Sequence, residues 1–176
     1  LDGLARRVEA LGLKFGLWFE PEMISPDSDL YRAHPDWCLH VPGRPRTEGR
    51  SQLVLDFSRS EVCEGIYSQM AALLRAAPIS YVKWDMNRSL SDVYSLLLDP
   101  AQQGEVAHRY LLGLYEFLEK LTTAYPTILF EGCSGGGGRF DAGFLDYMPQ
   151  IWTSDNTDAI ARLMAHEVVY AYQYEG

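Results

Sequence analysis

Apolar and polar positions alternate along the chain with two different periods. Short, continuous apolar runs predict four buried strands, in LKFGLWF (13–19), ISYVKWD (79–85), TILFEGC (127–133) and QIWTSD (150–155). Apolar residues at intervals of three and four predict helices over 2–11, which Gly12 would close, and over 61–77, 103–124 and 157–172. Regular alternation of strand and helix is typical of a parallel α/β sheet.

A long segment separates the first predicted strand from the helix at 61–77. Residues 24–36 carry SPDSD and HPDW, which predict a loop. WCLHV and QLVLDF flank the polar segment VPGRPRTEGRS, and this pattern predicts a long hairpin. Either Ser58 or Ser60 would cap the helix that follows, with Glu61 in its first turn.

Polar residues follow each predicted strand directly: Glu20, Asp85, Glu131 with Cys133, and Asp155. A parallel barrel carries its chemistry at this carboxyl edge, and a doubly wound sheet does so at its switch point. The run SGGGG is uninterrupted, so no predicted strand leads into the spaced glycine pattern of dinucleotide sites. Four strand–helix units in 176 residues, against about 250 residues for eight units, predict roughly half of a (β/α)8 TIM-type barrel. The sheet face that would line the barrel interior is then expected to stand partly open and to expose Phe130 and Ile151.

Composition and charge narrow the class of partner. The chain is 47% hydrophobic and 22% charged, which is ordinary for one globular domain. Its formal net charge of -9 argues against nucleic acid and anionic membranes, since both select basic surfaces. No apolar run is long enough to cross a membrane. Four Trp, eleven Tyr and seven Phe supply core packing and also flat surfaces on which sugars stack.

The cysteines and the first residues of the chain indicate where the protein is located and whether the sequence is part of a longer one. Cys38, Cys63 and Cys133 are odd in number without CxxC spacing, and the four His are scattered, which predicts neither a disulfide framework nor a zinc site. The opening LDGLARRVEA has the pattern of a helix interior and no initiator Met, so we expect a piece of a larger protein. No signal segment is visible from Leu1 onward, which favours a cytoplasmic location.

Two strand-end carboxylates stand out as a candidate catalytic pair. Asp85 and Asp155 each end an apolar strand, with Trp84 and Trp152 near them and Asn87 and Asn156 after them. Breaking a glycosidic bond needs two carboxyl groups that face each other across the sugar. The alternative is that each Asp caps a helix or closes a turn. Spacing alone does not separate the two interpretations.

Four longer motifs occur in order along the chain: GLWFEPEM (16–23), YVKWDMNR (81–88), EGCSGGGGRFD (131–141) and IWTSDNTDAIARL (151–163). Together they closely resemble glycoside hydrolase family 36, the bacterial and fungal α-galactosidases. The resemblance implies a (β/α)8 catalytic barrel and double displacement with retention. Asp85 matches the nucleophile of the family's KWD motif, and Asp155, directly after Ser in TSDNTD, matches the acid/base. Asp158 is expected to be structural or to begin a helix.

The resemblance also implies a set of substrate-binding residues. Lys83 and Asn87 lie two positions before and after Asp85, hence on one face of the strand, and match hydroxyl-binding residues. A cation at Lys83 would also hold Asp85 ionised. Trp18 resembles the aromatic wall of the sugar pocket, and Arg50 resembles the arginine that reaches the sugar from the long loop.

The remaining matches carry an alternative each. Cys133 matches the cysteine of the CSGG motif, and Gly135 would let the backbone approach the 2-hydroxyl side of galactose; a small buried core residue is the other interpretation of Cys133. Trp152 is either pocket wall or core. Glu20, Glu22 and Glu131 are expected to be scaffold.

One departure from the family concerns galactose recognition. The family carries two adjacent aspartates that bind the 4- and 6-hydroxyls, and this chain contains no Asp-Asp pair. We expect that pair upstream of Leu1, with the family's N-terminal β-sandwich, and the last strands and the C-terminal β-domain beyond Gly176. Residues 1–176 are therefore expected to be a partial catalytic domain with both flanking domains absent.

The resemblance implies an α-galactosidase that acts on terminal α-linked galactose in raffinose-type oligosaccharides. Two carboxylates suffice, so no metal or organic cofactor is expected, and the full-length protein is expected to be a homo-oligomer. A galactosyltransferase that makes raffinose or stachyose, or an α-N-acetylgalactosaminidase, would use the same site. A non-catalytic sugar-binding remnant is the alternative from another class.

Overall fold

The computed structural model describes residues 1–164. In chain order the elements are α1 (Asp2–Glu9), β1 (Gly16–Phe19), β2 (Met23–Ile24), α2 (Asp29–Ala33), a 3-10 turn (Pro35–Trp37), β3 (Leu53–Val54), α3 (Ser60–Ala76), β4 (Tyr81–Trp84), a second 3-10 segment (Pro100–Glu105), α4 (Val106–Ala124), β5 (Leu129–Gly132), α5 (Ala142–Tyr147) and β6 (Gln150–Ile151). Residues 159–164 are also helical. Within the described part, no helix is both long and apolar enough to cross a bilayer.

The four predicted strands form one parallel sheet in the order β1-β4-β5-β6. The register pairs Trp18 with Lys83, Lys83 with Glu131, and Glu131 with Gln150. Because side chains alternate along a strand, these four residues share one face of the sheet. The sequence-based prediction of a parallel α/β arrangement is confirmed.

The opposite face of the sheet packs on α3 and α4 and forms the core. Val82, Trp84 and Phe130 are buried there, and Trp84 meets Phe117 of α4 edge to face with 5.5 Å between the ring centroids. Burying each side chain of this size contributes about 1.5–3 kcal/mol. The long amphipathic helix α4 therefore holds the sheet from one side and leaves the other face open.

The residues exposed on that open face differ from those that the sequence predicts. The strand at 127–133 was expected to expose Phe130, but Phe130 is only 2% exposed and lies in the core. Leu129, one residue earlier and hence on the other face, is 42% exposed. Trp18, on the same face in β1, is 52% exposed. Ile151, the other residue expected to be exposed, is half-buried.

The segment after β1 is more ordered than its loop-like sequence indicates. Residues 24–36 contain α2, whose N-cap Ser28 accepts a hydrogen bond from the Tyr31 amide at 3.1 Å. The expected long hairpin is reduced to two isolated bridges, Cys38 with Leu55 and Gly49 with Gln52. β3 pairs regularly with β2 instead, in antiparallel register.

One helix cap differs from the prediction, and one short helix was not predicted. Neither Ser58 nor Ser60 caps α3; the Ser58 hydroxyl donates to Asp56, and Arg59 occupies the cap position without a side-chain cap bond. Helix α5 was not predicted, because six residues are too few to show a period; the Asp141 side chain caps it. Of the helix predicted over 157–172, residues after 164 lie outside the described part.

Candidate functional site

Asp85, Cys133 and Trp152 lie side by side at the carboxyl edge of the sheet. Each directly follows its strand, and its backbone N–H donates to the carbonyl oxygen of the last residue of the neighbouring strand. Asp85 donates to Phe19 O at 2.9 Å, Cys133 to Trp84 O at 2.7 Å, and Trp152 to Gly132 O at 2.8 Å. The parallel pairing thus continues one residue beyond the strands. It brings together residues that are far apart in sequence.

The Asp85 carboxylate is buried and surrounded by donors. Its Oδ2 accepts from Trp18 Nε1 at 3.1 Å and from Asn87 Nδ2 at 2.8 Å, and its Oδ1 accepts from the Met86 amide at 2.9 Å. Burial raises the pKa of Asp85, but the bonds from Trp18, Asn87, the Cys133 thiol and the Met86 amide outweigh it, so the pKa is lowered. The group is therefore an ionised carboxylate at neutral pH.

Asn87 is oriented by Glu20, which the sequence analysis assigned to the scaffold. Glu20 Oε1 accepts from the Asn87 amide nitrogen at 2.9 Å and from Nδ2 at 2.8 Å. Glu20 Oε2 accepts from Gln52 Nε2 at 3.1 Å, which ties the hairpin to the same group. Glu20 ends the first predicted strand, and that position was the signal available for its role.

Lys83 pairs with Glu131 across the strands. Its Nζ lies 3.4 Å from Glu131 Oε1 and 4.2 Å from the centroid of the Trp152 ring. The Glu131 carboxylate is buried and also accepts from Gln150. The lowered pKa of Asp85 comes from its neutral hydrogen-bond donors, so Lys83 is not the group that holds Asp85 ionised.

Asp155 is exposed and lies between Trp152 and the glycine run. Its Oδ1 accepts from Trp152 Nε1 at 2.9 Å. Trp152 is half-buried and contacts Lys83, so it belongs to the open face and not to the core. Gly136 approaches so closely that a Cβ on it would lie 2.9 Å from Asp155 N and 3.3 Å from Asp155 Cγ. Gly135 is exposed, and a Cβ there would meet nothing within 4 Å.

The Cys133 thiol lies beside Asp85 and the glycine run. Burial raises the pKa of the thiol, a hydrogen bond with the Gly136 backbone lowers it, and the bond to Asp85 raises it; the net direction is upward. The thiol is therefore neutral and donates to Asp85. Cys133 is 3% exposed, as expected of a small buried core residue, and it also lies beside Asp85.

Arg50, expected to reach the sugar from the long loop, shares no hydrogen bond or ion pair with Asp85 or Asp155 within residues 1–164. It is exposed at the hairpin tip with φ +56°, and its side chain makes no hydrogen bond or ion pair within residues 1–164. Arg88 anchors this tip, with Nη1 donating to Thr47 O at 3.0 Å and to Gln52 O at 2.6 Å. Asp158, expected to begin a helix, accepts from the Ile160 and Ala161 amides and caps residues 159–164.

A buried ion pair below the rim was missed by the sequence analysis. Glu22 is fully buried, and both of its oxygens accept from Arg139, at 2.5 Å and 2.8 Å. Trp84 Nε1 and the Tyr110 hydroxyl donate to the same carboxylate. Burial raises the pKa of Glu22, but the charge of Arg139 and these hydrogen bonds outweigh it and lower the pKa. Nothing local in sequence pairs two positions this far apart.

The described residues offer both hydrogen-bond donors and acceptors for sugar hydroxyls. No group of three or more His, Cys, Asp or Glu within residues 1–164 is arranged to hold a metal ion.

A cavity of about 470 Å³ opens beside Asn87, between the segment after β4 and the glycine run. A second groove, of about 330 Å³, lies between α3 and α4, away from the strand ends. An ionised carboxylate ringed by donors, with a second carboxylate on the same rim, suits nucleophilic attack followed by proton transfer.

Comparisons with known proteins agree on one family. Residues 1–172 match the melibiase family. Alpha-galactosidase AgaA of Geobacillus stearothermophilus is 64% identical over 163 residues, and alpha-galactosidase 1 of Pediococcus pentosaceus is 62% identical over 163 residues; each match covers 93% of this chain. The chain spans 22% of the length of these relatives.

Solved structures give the same result. The crystal structure of the family 36 α-galactosidase AgaA from Geobacillus stearothermophilus superposes with a TM-score of 0.93 at 62% identity, over 96% of this chain and 24% of that one. Two substituted forms of that enzyme were crystallised, one with raffinose and one with stachyose, with TM-scores of 0.94 and 0.93.

Proposed function

This chain belongs to the melibiase family, and from that membership we propose that it forms the central part of the catalytic domain of a retaining α-galactosidase. The chain spans only 22% of its relatives, so the activity is proposed for the protein that contains it. The observation that carries the proposal is the environment of Asp85: a buried carboxylate, ionised by neutral donors, at the carboxyl edge of a parallel sheet. The substrate is terminal α-linked galactose in raffinose-type oligosaccharides, by analogy with the raffinose and stachyose complexes.

The domain is proposed to be a (β/α)8 barrel of which this chain supplies four strands. Two features support it. The strands β1, β4, β5 and β6 are all parallel, and the face opposite α3 and α4 is open, with Trp18 and Leu129 exposed. A parallel sheet is normally covered on both faces. The remaining strands and the flanking β-domains would come from chain outside residues 1–176.

The proposed reaction has two steps. In the first, a carboxylate oxygen of Asp85 bonds to the anomeric carbon while the bond to the leaving oxygen breaks, and Asp155 delivers its proton to that oxygen. In the second, Asp155 removes a proton from water, whose oxygen displaces Asp85 from the anomeric carbon. Two inversions retain the α configuration. Retention requires carboxyl groups about 5–5.5 Å apart, and we expect this spacing in the complete site.

Donors around Asp85 would serve the chemistry in a defined way. Trp18 and Asn87 hold Oδ2 at 3.1 Å and 2.8 Å, which fixes the carboxylate through neutral groups. Such neutral donors leave the oxygens less strongly stabilised than an ion pair would, and so more nucleophilic. The proposed sugar contacts come from Trp18, Arg50, Lys83, Asn87, Cys133, Gly135 and Trp152.

The Geobacillus complexes add support for the two catalytic positions. Each of the crystallised forms, one with raffinose and one with stachyose, replaces a different aspartate. Those two aspartates are as far apart in that enzyme's numbering as Asp85 and Asp155 are here.

The deciding experiment replaces Asp85 with Ala in the full-length enzyme. We expect turnover of an aryl α-galactoside to be nearly abolished, because no covalent intermediate can form. Added azide should restore turnover and yield the β-configured galactosyl azide, since azide attacks from the face that the carboxylate has left. Asp158→Ala is the matched control: it removes a helix cap from the same motif as Asp155 and should keep the native, retained product. An α-configured azide, or an equal loss in the control, would contradict the assignment of Asp85.

A further inference from the structure

We propose that Arg139 is a positioning residue for this reaction and that it acts through its buried ion pair with Glu22. The inference rests on the proposed function, because it concerns how Asp85 and Asp155 are placed. Arg139 is the first residue after the four glycines of the run, so its side chain is where that run is next anchored. We refer to Ser134–Arg139 as the glycine loop.

The pair is built for rigidity. Glu22 has no exposed surface, and the Arg139 side chain is 16% exposed. The guanidinium binds both carboxylate oxygens, at 2.5 Å and 2.8 Å, and such two-point contacts fix orientation as well as distance. Trp84 Nε1 and the Tyr110 hydroxyl donate to the same carboxylate at 2.9 Å and 2.5 Å. The carboxylate thus joins β4, α4 and the glycine loop.

One connection leads from this pair to Asp85. Trp84 directly precedes Asp85 and is held by Glu22. Met86 directly follows it, and its sulfur lies 2.9 Å from Arg139 Nη2. The Met86 amide is the donor to Asp85 Oδ1 at 2.9 Å. Both neighbours of the proposed nucleophile are therefore in contact with the ion pair.

A second connection leads to Asp155 through the glycine loop. Gly135, Gly136 and Gly137 all have positive φ, and residues without a Cβ leave the loop many alternative paths. Only its two ends carry side chains: the Ser134 hydroxyl donates to Met86 O at 3.1 Å, and Arg139 binds Glu22. Between these ends, Gly136 packs directly against the amide and carboxyl group of Asp155. The anchor at Arg139 thus limits where the loop, and Asp155 beside it, can lie.

A purely structural role would give the same contacts, so the variants must separate the two. Arg139→Lys keeps the charge and loses the two-point contact. Arg59→Lys is the matched control. The Arg59 side chain is 10% exposed and bonds to Glu61 at 2.8 Å and to the Asp36 carboxylate at 3.0 Å, at the start of α3. Arg59 makes no contact with Asp85, Asp155 or the glycine loop among the hydrogen bonds and ion pairs of residues 1–164.

The experiment uses the full-length enzyme, with kcat and KM normalised to active sites titrated by a slow covalent substrate. Misplacement of a catalytic group by about 1 Å costs about 100-fold in rate. We expect Arg139→Lys to lower kcat about 10- to 100-fold with little change in KM. The loss should be larger for raffinose than for an activated aryl galactoside, since a displaced Asp155 protonates poor leaving groups badly. Arg59→Lys should lower the melting temperature and leave kcat per site and the leaving-group dependence unchanged.

Glu22→Gln keeps the experiment decisive if Arg139→Lys does not fold. Gln is the same shape and can still meet Trp84 and Tyr110, but its pairing with Arg139 is weakened, so the same leaving-group effect is expected. Equal kcat losses in the Arg139 and Arg59 variants, or a loss that is the same for both substrates, would overturn the positioning role. Failure of the proposed function would show differently: the unsubstituted enzyme itself would then not release galactose with retention.

Discussion

Replacing Gly136 with Ala should displace Asp155 and slow the hydrolysis of poor leaving groups. A Cβ at this position would lie 2.9 Å from Asp155 N, 3.3 Å from its Cγ and 3.5 Å from its Oδ2. Carbon atoms pack best at about 3.5–4.0 Å, so the added methyl group must push either the loop or Asp155 away, and we expect Asp155 to move. The backbone N cannot swing aside as the end of a flexible side chain would.

Two terms contribute to the effect. An L residue at positive φ costs about 1–2 kcal/mol, which lowers the free energy of unfolding. Displacement of the proposed acid/base adds a kinetic loss, and a shift approaching 1 Å corresponds to about 100-fold in rate, or about 2.7 kcal/mol of transition-state stabilisation. Raffinose should lose this factor, while an activated aryl galactoside, which needs little protonation, should lose much less.

The control is Gly43→Ala in the full-length enzyme. Gly43 has φ +76°, close to the +81° of Gly136, and a Cβ there would meet nothing within 4 Å. It therefore carries the same backbone cost without the contact. The assay compares kcat/KM on raffinose and on an aryl galactoside, with thermal melts of each variant. Gly135→Ala is informative as well: its Cβ would meet nothing within 4 Å among residues 1–164, so a loss of activity larger than that of Gly43→Ala would come from contact with the substrate.

An equal fold-decrease in kcat/KM on raffinose for Gly136→Ala and Gly43→Ala would contradict this prediction. An equal fold-decrease for Gly136→Ala on raffinose and on the aryl galactoside would contradict it as well. The first result would mean that the loop yields to the added methyl group without moving Asp155. The second would mean that Asp155 is not the group that protonates the leaving oxygen.

Three further outcomes can be measured. Trp18→Phe removes the donor at 3.1 Å from Asp85 Oδ2, so the pKa of Asp85 rises from its lowered value and the acidic limb of the kcat/KM profile moves to higher pH; an unmoved limb would contradict the role of this bond. Asp155→Ala should affect raffinose more than an aryl galactoside, and azide should then give the α-configured product, because it attacks the intermediate on Asp85; a β-configured azide would reverse the assignment. Residues 1–176 expressed alone should aggregate or bind hydrophobic dyes without activity, since Trp18 and Leu129 are exposed on an open sheet face; a monodisperse, cooperatively melting, active monomer would contradict this.

Much of the site was predictable because its residues are fixed by their place along a strand. Asp85 and Cys133 each end a predicted strand, and parallel strands bring such positions to one edge. The spacing of two between Lys83, Asp85 and Asn87 is equally local. Family motifs then supplied the proposed roles. The strand–helix alternation, and with it the parallel sheet, follow from the same short-range periods.

Contacts between distant segments were decided only in three dimensions. β3 forms its regular ladder with β2 and keeps only isolated bridges and single bonds to the other side of its own hairpin, since the best partner of a short buried strand depends on what lies next to it. The face taken by Phe130 could not be assigned because the run Ile128, Leu129, Phe130 places apolar residues on both sides of the alternation. The Glu22–Arg139 pair and the approach of Gly136 to Asp155 join segments with no shared local pattern. Local sequence patterns are sufficient to predict the four parallel strands, the longer helices and the residue types at the rim. Which partners orient those rim residues depends on the tertiary structure. Hydrogen bonds and packing between remote segments depend on distances that no local period encodes.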